Sequence, residues 1–335
     1  MAVYLTISLG ELGIINGIIS ILLSGQSMSS EIVILCNPHA NQRKAAAVAS
    51  RLQQIAPPSA QVEWVFTAYP RHAVQLAHQI AEQGCRKLIA MGGDGTVHEV
   101  VNGVMHLPPE QRPIIGIIPV GSGNDLAGSL KIPADPVEAL TLALDGSVGN
   151  VDIARIEDDH GHGEYWTNTL GIGFDAVVNI RSRSIRWVRG FLIYLFSALQ
   201  TILFNHTPLG LQAVQDGKRW QAHLLMLVLC NGRREGGAFW VAPQASPQDG
   251  KLDYLGIRRI SRLQMLYTIP FVMQGTHQRL SYACHGRFQN LELVSDHPLY
   301  IHTDGEIYAG LDSTIRQIRV EAIPSAIRMN IPSAG

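Results

Sequence analysis

The chain has 335 residues, 46% of them hydrophobic, enough to bury a sizeable core and to form two domains. Charged residues make up 16%, the formal net charge is -1 and the pI is about 6.9. These values exclude a disordered chain and a global basic field that would recruit nucleic acid. Cys36, Cys85, Cys230 and Cys284 show no Cys-x-x-Cys spacing, and two of them lie in apolar runs, so they read as reduced, buried thiols of a cytoplasmic protein and not as a metal site.

Residues 3–23 are almost wholly apolar, with Glu11 the only charge. The stretch would just suffice to cross a bilayer, yet it has no basic flank and no small-residue cleavage site, which argues against a signal peptide. A start at Met28 would place Glu31 to Leu35 as an N-terminal first strand. Residues 1–30 therefore read as a dispensable extension or a misassigned start, the alternative being a weak membrane anchor.

Ile32 to Leu35 is a buried parallel strand that ends in the turn Asn37-Pro38, and Arg43 to Ile55 carries helical spacing up to Pro57-Pro58. Gln61 to Phe66 alternates like a strand, and Arg71 to Gln83 is a helix closed by Gly84. The apolar run Lys87-Leu88-Ile89-Ala90 then closes in Met91-Gly92-Gly93-Asp94-Gly95-Thr96 and reopens as Val97-His98-Glu99. A strand that stops in glycines and restarts as a helix aims bare amides and the positive helix end at one point, which suits a phosphate. Asp94 would repel that phosphate unless a divalent cation stood between them, as a magnesium nucleotide requires. A second buried strand, Ile114 to Val120, ends in Gly121-Ser122-Gly123-Asn124-Asp125. Loops at the carboxyl ends of neighbouring parallel strands converge on one crevice, so the two together predict a site in a doubly wound α/β domain.

After the short helix Pro136 to Leu144 the texture changes, and a domain boundary is expected near Asn150. Strands are predicted over 165–172, 209–216, 223–230, 252–257, 290–295 and 315–322 without regular helices between them, an antiparallel β-sandwich-like domain over 151–325 whose last strand returns towards the first domain. Gly171-Ile172-Gly173-Phe174-Asp175-Ala176 sits too late in the chain for a dinucleotide fold, and neither a Gly-x-x-x-x-Gly-Lys-Ser/Thr loop nor a His-Glu-x-x-His pair is present. Arg181, Arg183, Arg186 and Arg189 precede the apolar run 191–204, which reads either as a buried helix or as an amphipathic helix at an anionic membrane surface. Taken alone, residues 243–253 form an oxygen-rich loop, and Asp304-Gly305 a hairpin turn followed by a solvated Glu306.

Asn37-Pro38-His39-Ala40-Asn41, Gly92-Gly93-Asp94-Gly95-Thr96, Pro119-Val120-Gly121-Ser122-Gly123-Asn124-Asp125-Leu126-Ala127 and His302-Thr303-Asp304-Gly305-Glu306 together resemble the diacylglycerol kinase catalytic domain of the bacterial lipid kinases, from about residue 31 to the end. That family includes sphingosine and ceramide kinases and is related to the NAD kinases and phosphofructokinases. The resemblance implies an NAD kinase-like nucleotide domain over 31–150 that binds ATP with Mg2+. Its cradle would be Asn37, Pro38, His39, Ala40, Asn41, Thr67, Gly92, Gly93, Gly95, Thr96, Val97, His98, Glu99, Gly121, Ser122, Gly123 and Asn124, although Thr67 could equally be a helix N-cap. Asp94 would organise the catalytic magnesium, Asp125 would orient nucleotide or acceptor, and Glu306 would be the general base. Ser246, Asp249 and Lys251 would hold a structural magnesium. Ser122 and Leu126 depart from the usual threonine and phenylalanine, mild changes that bear on nucleotide fit.

The implied activity is transfer of the γ-phosphate to the hydroxyl of diacylglycerol or a similar lipid, in the cleft between two domains, by an enzyme of the cytoplasm that visits the membrane surface. A homodimer is compatible with that reading, and a nucleic-acid partner is not. The rivals are a kinase of a soluble acceptor such as NAD, and an inactive lipid-binding regulatory protein.

Overall fold

A computed structural model describes residues 30–41, 43–183, 191–204 and 207–333. The apolar stretch 3–23, Met28, Arg186 and Arg189 lie outside them. The first half of the chain alternates strands and helices: β1 (Ile32–Cys36), α1 (Lys44–Ile55), β2 (Val62–Phe66), α2 (His72–Glu82), β3 (Lys87–Gly92), α3 (Asp94–Met105), β4 (Ile114–Pro119), α4 (Asp125–Ser129) and α5 (Pro136–Asp145). The four strands are parallel, in the order β4-β3-β1-β2. Lys87–Gly92 is buried at every position after the first, as a parallel strand covered on both faces must be. The chain leaves β1 towards β2 on one side of the sheet and comes back as β3 on the other, so the carboxyl ends of β1 and β3 form a topological switch point. Gly92 pairs with Pro119, so the loops after β3 and β4 start side by side.

The second half comprises β5 (Ser147–Asp158), β6 (Gly163–Trp166), β7 (Thr169–Gly173), α6 (Phe174–Ser182), α7 (Phe191–Phe204), β8 (Leu209–Gln215), β9 (Lys218–Cys230), β10 (Leu252–Arg258), α8 (Arg262–Met273), β11 (Ala283–Phe288), β12 (Asn290–Ser295), β13 (Ile301–Thr303), β14 (Glu306–Ala309) and β15 (Gln317–Ile331). Its strands pair antiparallel in the order β14-β13-β7-β9-β8-β12-β15, with β10 and β11 branching from β9, and β5 and β6 from β15. Met329 of β15 pairs with Ile115 of β4, which joins the two halves in one mixed sheet. The fold is a doubly wound α/β domain followed by an antiparallel β-sandwich-like domain.

The expectation of strands without regular helices between them needs correction, because α6 and α8 interrupt them. Pro270 inside α8 disguises that helix, yet Ser261 and Gln264 form a capping box, Gln264 N donating to Ser261 Oγ at 3.2 Å and Ser261 N to Gln264 Oε1 at 2.9 Å. The predicted strand 165–172 is also broken, into β6 and β7. Run 191–204 is helical, as either reading required, and it serves two faces. Ser197, Thr201 and Ile202 are buried, the last contributing about 2 kcal/mol by leaving water, whereas Leu203 and Phe204 are 59% and 71% exposed.

Candidate active site

A methyl group on Gly93 would stand 3.1 Å from the Gly121 Cα. The two glycine loops therefore touch backbone to backbone, and contact between them demands glycine as much as any ligand would. Asp94 crosses from one loop to the other: its Oδ1 accepts the Asp125 amide at 2.6 Å, with the Asn124 and Leu126 amides adding their pull, so it caps α4. Asp125 spends its own Oδ1 on the Gly237 amide at 3.0 Å and on Arg234 Nε at 3.3 Å. The two Oδ2 atoms converge beside Gly123, where a Cβ would lie 2.7 Å from that of Asp94 and 3.2 Å from that of Asp125. Burial raises the Asp94 carboxyl; burial, then the Asp94 charge, push Asp125 up to about 8 in spite of Arg234. Two carboxylates held face to face in this way are relieved by a divalent cation, so the donor set fits magnesium.

The third wall comes from the second domain. Asp304 (φ 51°) and Gly305 (φ 84°) form the two-residue turn of the β13–β14 hairpin, with Thr303 paired to Glu306. The Asp304 carboxylate is buried and accepts from Thr167 N at 2.8 Å, Asn168 N at 2.7 Å, Thr169 N at 3.1 Å and His98 Nδ1 at 2.9 Å. These amides are lost to strand pairing, which is why 165–172 is not one strand. Glu306 thus reaches the cleft, its Oε1 3.1 Å from where a Cβ on Gly95 would be and its Oε2 2.7 Å from Arg183. Burial would lower the His98 value, but the Asp304 and Glu164 carboxylates, the latter 2.8 Å away, outweigh it and push His98 up to about 10. His98 is therefore a charged strut between α3 and the second domain, and its expected place beside the nucleotide is corrected.

These walls enclose a cleft of about 430 Å³. Asn37, Ala40, Asn41, Gly93, Asp94, Gly95, Thr96, Glu99, Gly121, Ser122, Gly123, Asp125 and Glu306 line it. Pro38, His39, Thr67, Gly92, Val97, His98 and Asn124 are not among the lining residues. Thr67 donates its amide to Cys36 O at 2.9 Å, prolonging the strand register, and does not cap α2. That cap comes from Glu99, whose carboxylate accepts Arg71 N and Ala73 N, each at 3.1 Å. Asn124 folds its amide back onto Gly121 N at 3.0 Å and Gly121 O at 3.1 Å, so it shapes its loop and has no free polar end.

Sequence reasoning missed Asn168, Thr169, Asn179, Ser182, Arg183, Glu235 and Gly236, which also line the cleft. The signal for the last two was Asn231-Gly232-Arg233-Arg234-Glu235-Gly236-Gly237, a third charged glycine loop at the end of a buried strand, β9. Asn179, Glu235 and Gly236 are shared with a narrow apolar cavity of about 80 Å³ between Phe174 and Val178 of α6, Ala198 of α7, and Met265, Thr268, Ile269 and Val272 of α8. At its polar end buried His302 Nε2 sits 2.8 Å from Asp175 and 3.0 Å from Glu235. Burial would lower this histidine too, and the two carboxylates push it up to about 10.

Ser246, Asp249 and Lys251 lie apart from the cleft. Asp249 accepts the Lys251 amide at 3.1 Å on one oxygen and the Arg287 guanidinium on the other, so these residues as arranged do not fit a bare structural cation.

Residues 31–156 match the family model of the diacylglycerol kinase catalytic domain, and residues 168–331 that of the YegS C-terminal NAD kinase beta sandwich-like domain. The chain is 34% identical over 235 residues to a Chromohalobacter salexigens protein named "Probable lipid kinase YegS-like", covering 70% of this chain and 73% of the relative. It is 30% identical over 262 residues to a diacylglycerol kinase of Mycobacterium tuberculosis, covering 78% and 81%. The crystal structure of a diacylglycerol kinase from Bacillus anthracis str. Sterne shares the fold, with a TM-score of 0.67 at 22% identity over 91% of this chain and 98% of that one. With these two segments matched and relatives at 30% identity or more covering over two thirds of its length, this chain belongs to the diacylglycerol kinase family of lipid kinases.

Proposed function

We propose that this chain is an ATP- and magnesium-dependent kinase that transfers the γ-phosphate to the hydroxyl of diacylglycerol or a similar lipid. The observation that carries the reading is the junction at Asn179, Glu235 and Gly236, where a polar cleft flanked by glycine loops meets an apolar cavity. A nucleotide needs the first and an acyl chain the second; a kinase of NAD or a sugar phosphate has no use for the cavity. Asp94 and Asp125 would hold magnesium through their Oδ2 atoms, and the bound ion would neutralise charge on the phosphates. Thr96, Ser122 and the amides of the two glycine loops cradle the phosphates. Glu306 takes the proton of the acceptor hydroxyl, with Arg183 holding its carboxylate in place.

The same reading puts the lipid end of the molecule against a membrane. Leu203 and Phe204 of α7 and Leu263 and Tyr267 of α8 are exposed, on the two helices whose inner residues line the cavity, so chain and bilayer are brought to one side. Arg181 lies 5.9 Å over the Phe204 ring and adds positive charge there. Arg183 is spent on Glu306.

Incubating the chain with γ-labelled ATP and magnesium, and with diacylglycerol, phosphatidylglycerol, a sphingoid base, undecaprenol or NAD, tests the reading. Label in one of the lipids and none in NAD is the expected result. Label in NAD alone assigns a soluble acceptor, and label in none of them leaves a lipid-binding protein.

A further inference from the structure

The loop between residues 243 and 252 is tied to β5 and β15 through Asp152. The Asp152 amide of β5 donates to the Pro247 carbonyl at 2.8 Å, and the Asp152 carboxylate accepts the Gly250 amide at 2.6 Å and the Ser325 amide at 2.7 Å. That carboxylate is fully committed to backbone. The other two acidic groups of the region, Asp249 and Asp253, face a single guanidinium. Arg287 on β11 stands directly opposite Asp253 on β10 in the antiparallel register, which aims the two side chains at each other. Its Nε lies 3.4 Å from Asp253 Oδ2, and its Nη2 donates to Asp249 Oδ2.

We propose that Arg287 is the built-in cation of this junction, and that the chain holds the loop without the structural magnesium that a diacylglycerol kinase fold implies at Ser246, Asp249 and Lys251. Asp249 would be the only carboxylate ligand of such an ion. A guanidinium seated on its Oδ2 both occupies that ligand and repels a second positive charge. Arginine meets the same need from within the sequence: it stays protonated, presents donors to two carboxylates at once, and cannot be removed by a chelator. Burial raises the Asp253 carboxyl and Arg287 pulls it back, as expected of a partner that neutralises both acids. Magnesium at Asp94 and Asp125 is a separate matter, and the inference stands whether or not the lipid-kinase reading does.

The test uses the purified full chain without nucleotide. Thermal unfolding is followed in EDTA and in millimolar magnesium, and bound Mn2+ is counted by equilibrium dialysis. Wild type and Asp249→Asn are expected to show the same change in unfolding temperature between EDTA and magnesium, any such change belonging to Asp94 and Asp125, and Asp249→Asn is expected to leave the Mn2+ count unchanged. Arg287→Met, which keeps the aliphatic stem, is expected to unfold at a lower temperature than wild type in EDTA. A change in unfolding temperature between EDTA and magnesium that is larger in wild type than in Asp249→Asn, or a Mn2+ count that falls by one ion in Asp249→Asn, overturns the proposal even if Arg287→Met fails to fold. So does an Arg287→Met chain as stable in EDTA as wild type.

Discussion

His98 on α3 and Asp304 in the β13–β14 turn meet at 2.9 Å although 206 residues separate them in sequence, and both are buried. The pair ties the nucleotide domain to the turn that carries Glu306. Because His98 is raised from the ordinary 6.5 to about 10, its contribution to stability is fully present below about pH 6.5 and is lost as pH rises through about 10. The melting temperature of wild type should therefore fall between those limits, and more steeply than that of His98→Gln. Equal slopes in the two proteins would mean that His98 is not charged in the fold.

Asp94→Asn keeps an oxygen for the Asp125 amide but removes the charge that faces Asp125 across Gly123. Turnover should fall by about 10² or more, the scale of losing one preorganised electrostatic partner. The unfolding temperature should change little without nucleotide, because the cap on α4 survives. Wild-type turnover in this variant would reduce Asp94 to a shaping residue.

Glu306→Gln keeps the size and most hydrogen bonds of the side chain and cannot accept a proton, so kcat should drop by about 10² to 10⁴ while ATP affinity stays near the wild-type value. Arg183→Gln should lower kcat less, since it frees the carboxylate without removing it. A loss of ATP affinity that parallels the loss of kcat in Glu306→Gln would move this residue from the acceptor to the nucleotide.

Much of this was legible in the sequence, and the failures have physical causes. β3 and β4 could be read because each is a continuous apolar run that leads into glycines, β1 because it is an apolar run closed by Asn37-Pro38 and β2 because it alternates, and Gly92-Gly93-Asp94-Gly95 and Gly121-Ser122-Gly123 announce a convergence that topology alone requires. His98 was misplaced because residues next to a phosphate loop face it only on one side of the helix, and His98 looks the other way, towards Glu164. Glu99 took the cap of α2 that Thr67 offered in sequence and still lines the cleft, because which polar group caps that helix depends on contacts 28 and 26 residues away. The α8 helix hid behind Pro270, although Ser261 and Gln264 advertised its start. The apolar cavity could not be read at all, since it is assembled from α6, α7, α8 and β9, and no local pattern records that they meet.

The exposed residues of α7 and α8 should make membrane capture depend on both helices. Replacing Leu203, Phe204, Leu263 and Tyr267 by serine should weaken cosedimentation with anionic vesicles and leave ATP binding intact, because none of them lines the cleft. Unchanged cosedimentation would assign these side chains to ordinary surface.

If the polar cleft and the apolar cavity are two parts of one site, plugging the cavity must block transfer to the lipid. Val272 lines the cavity on α8 and does not line the cleft. In Val272→Trp, phosphorylation of the lipid that wild type accepts should fall at least tenfold, a barrier increase of about 1.4 kcal/mol or more, with ATP affinity unchanged. Lipid phosphorylation at the wild-type rate in a folded Val272→Trp chain would contradict the account, because the acceptor would then reach the nucleotide without passing through the cavity.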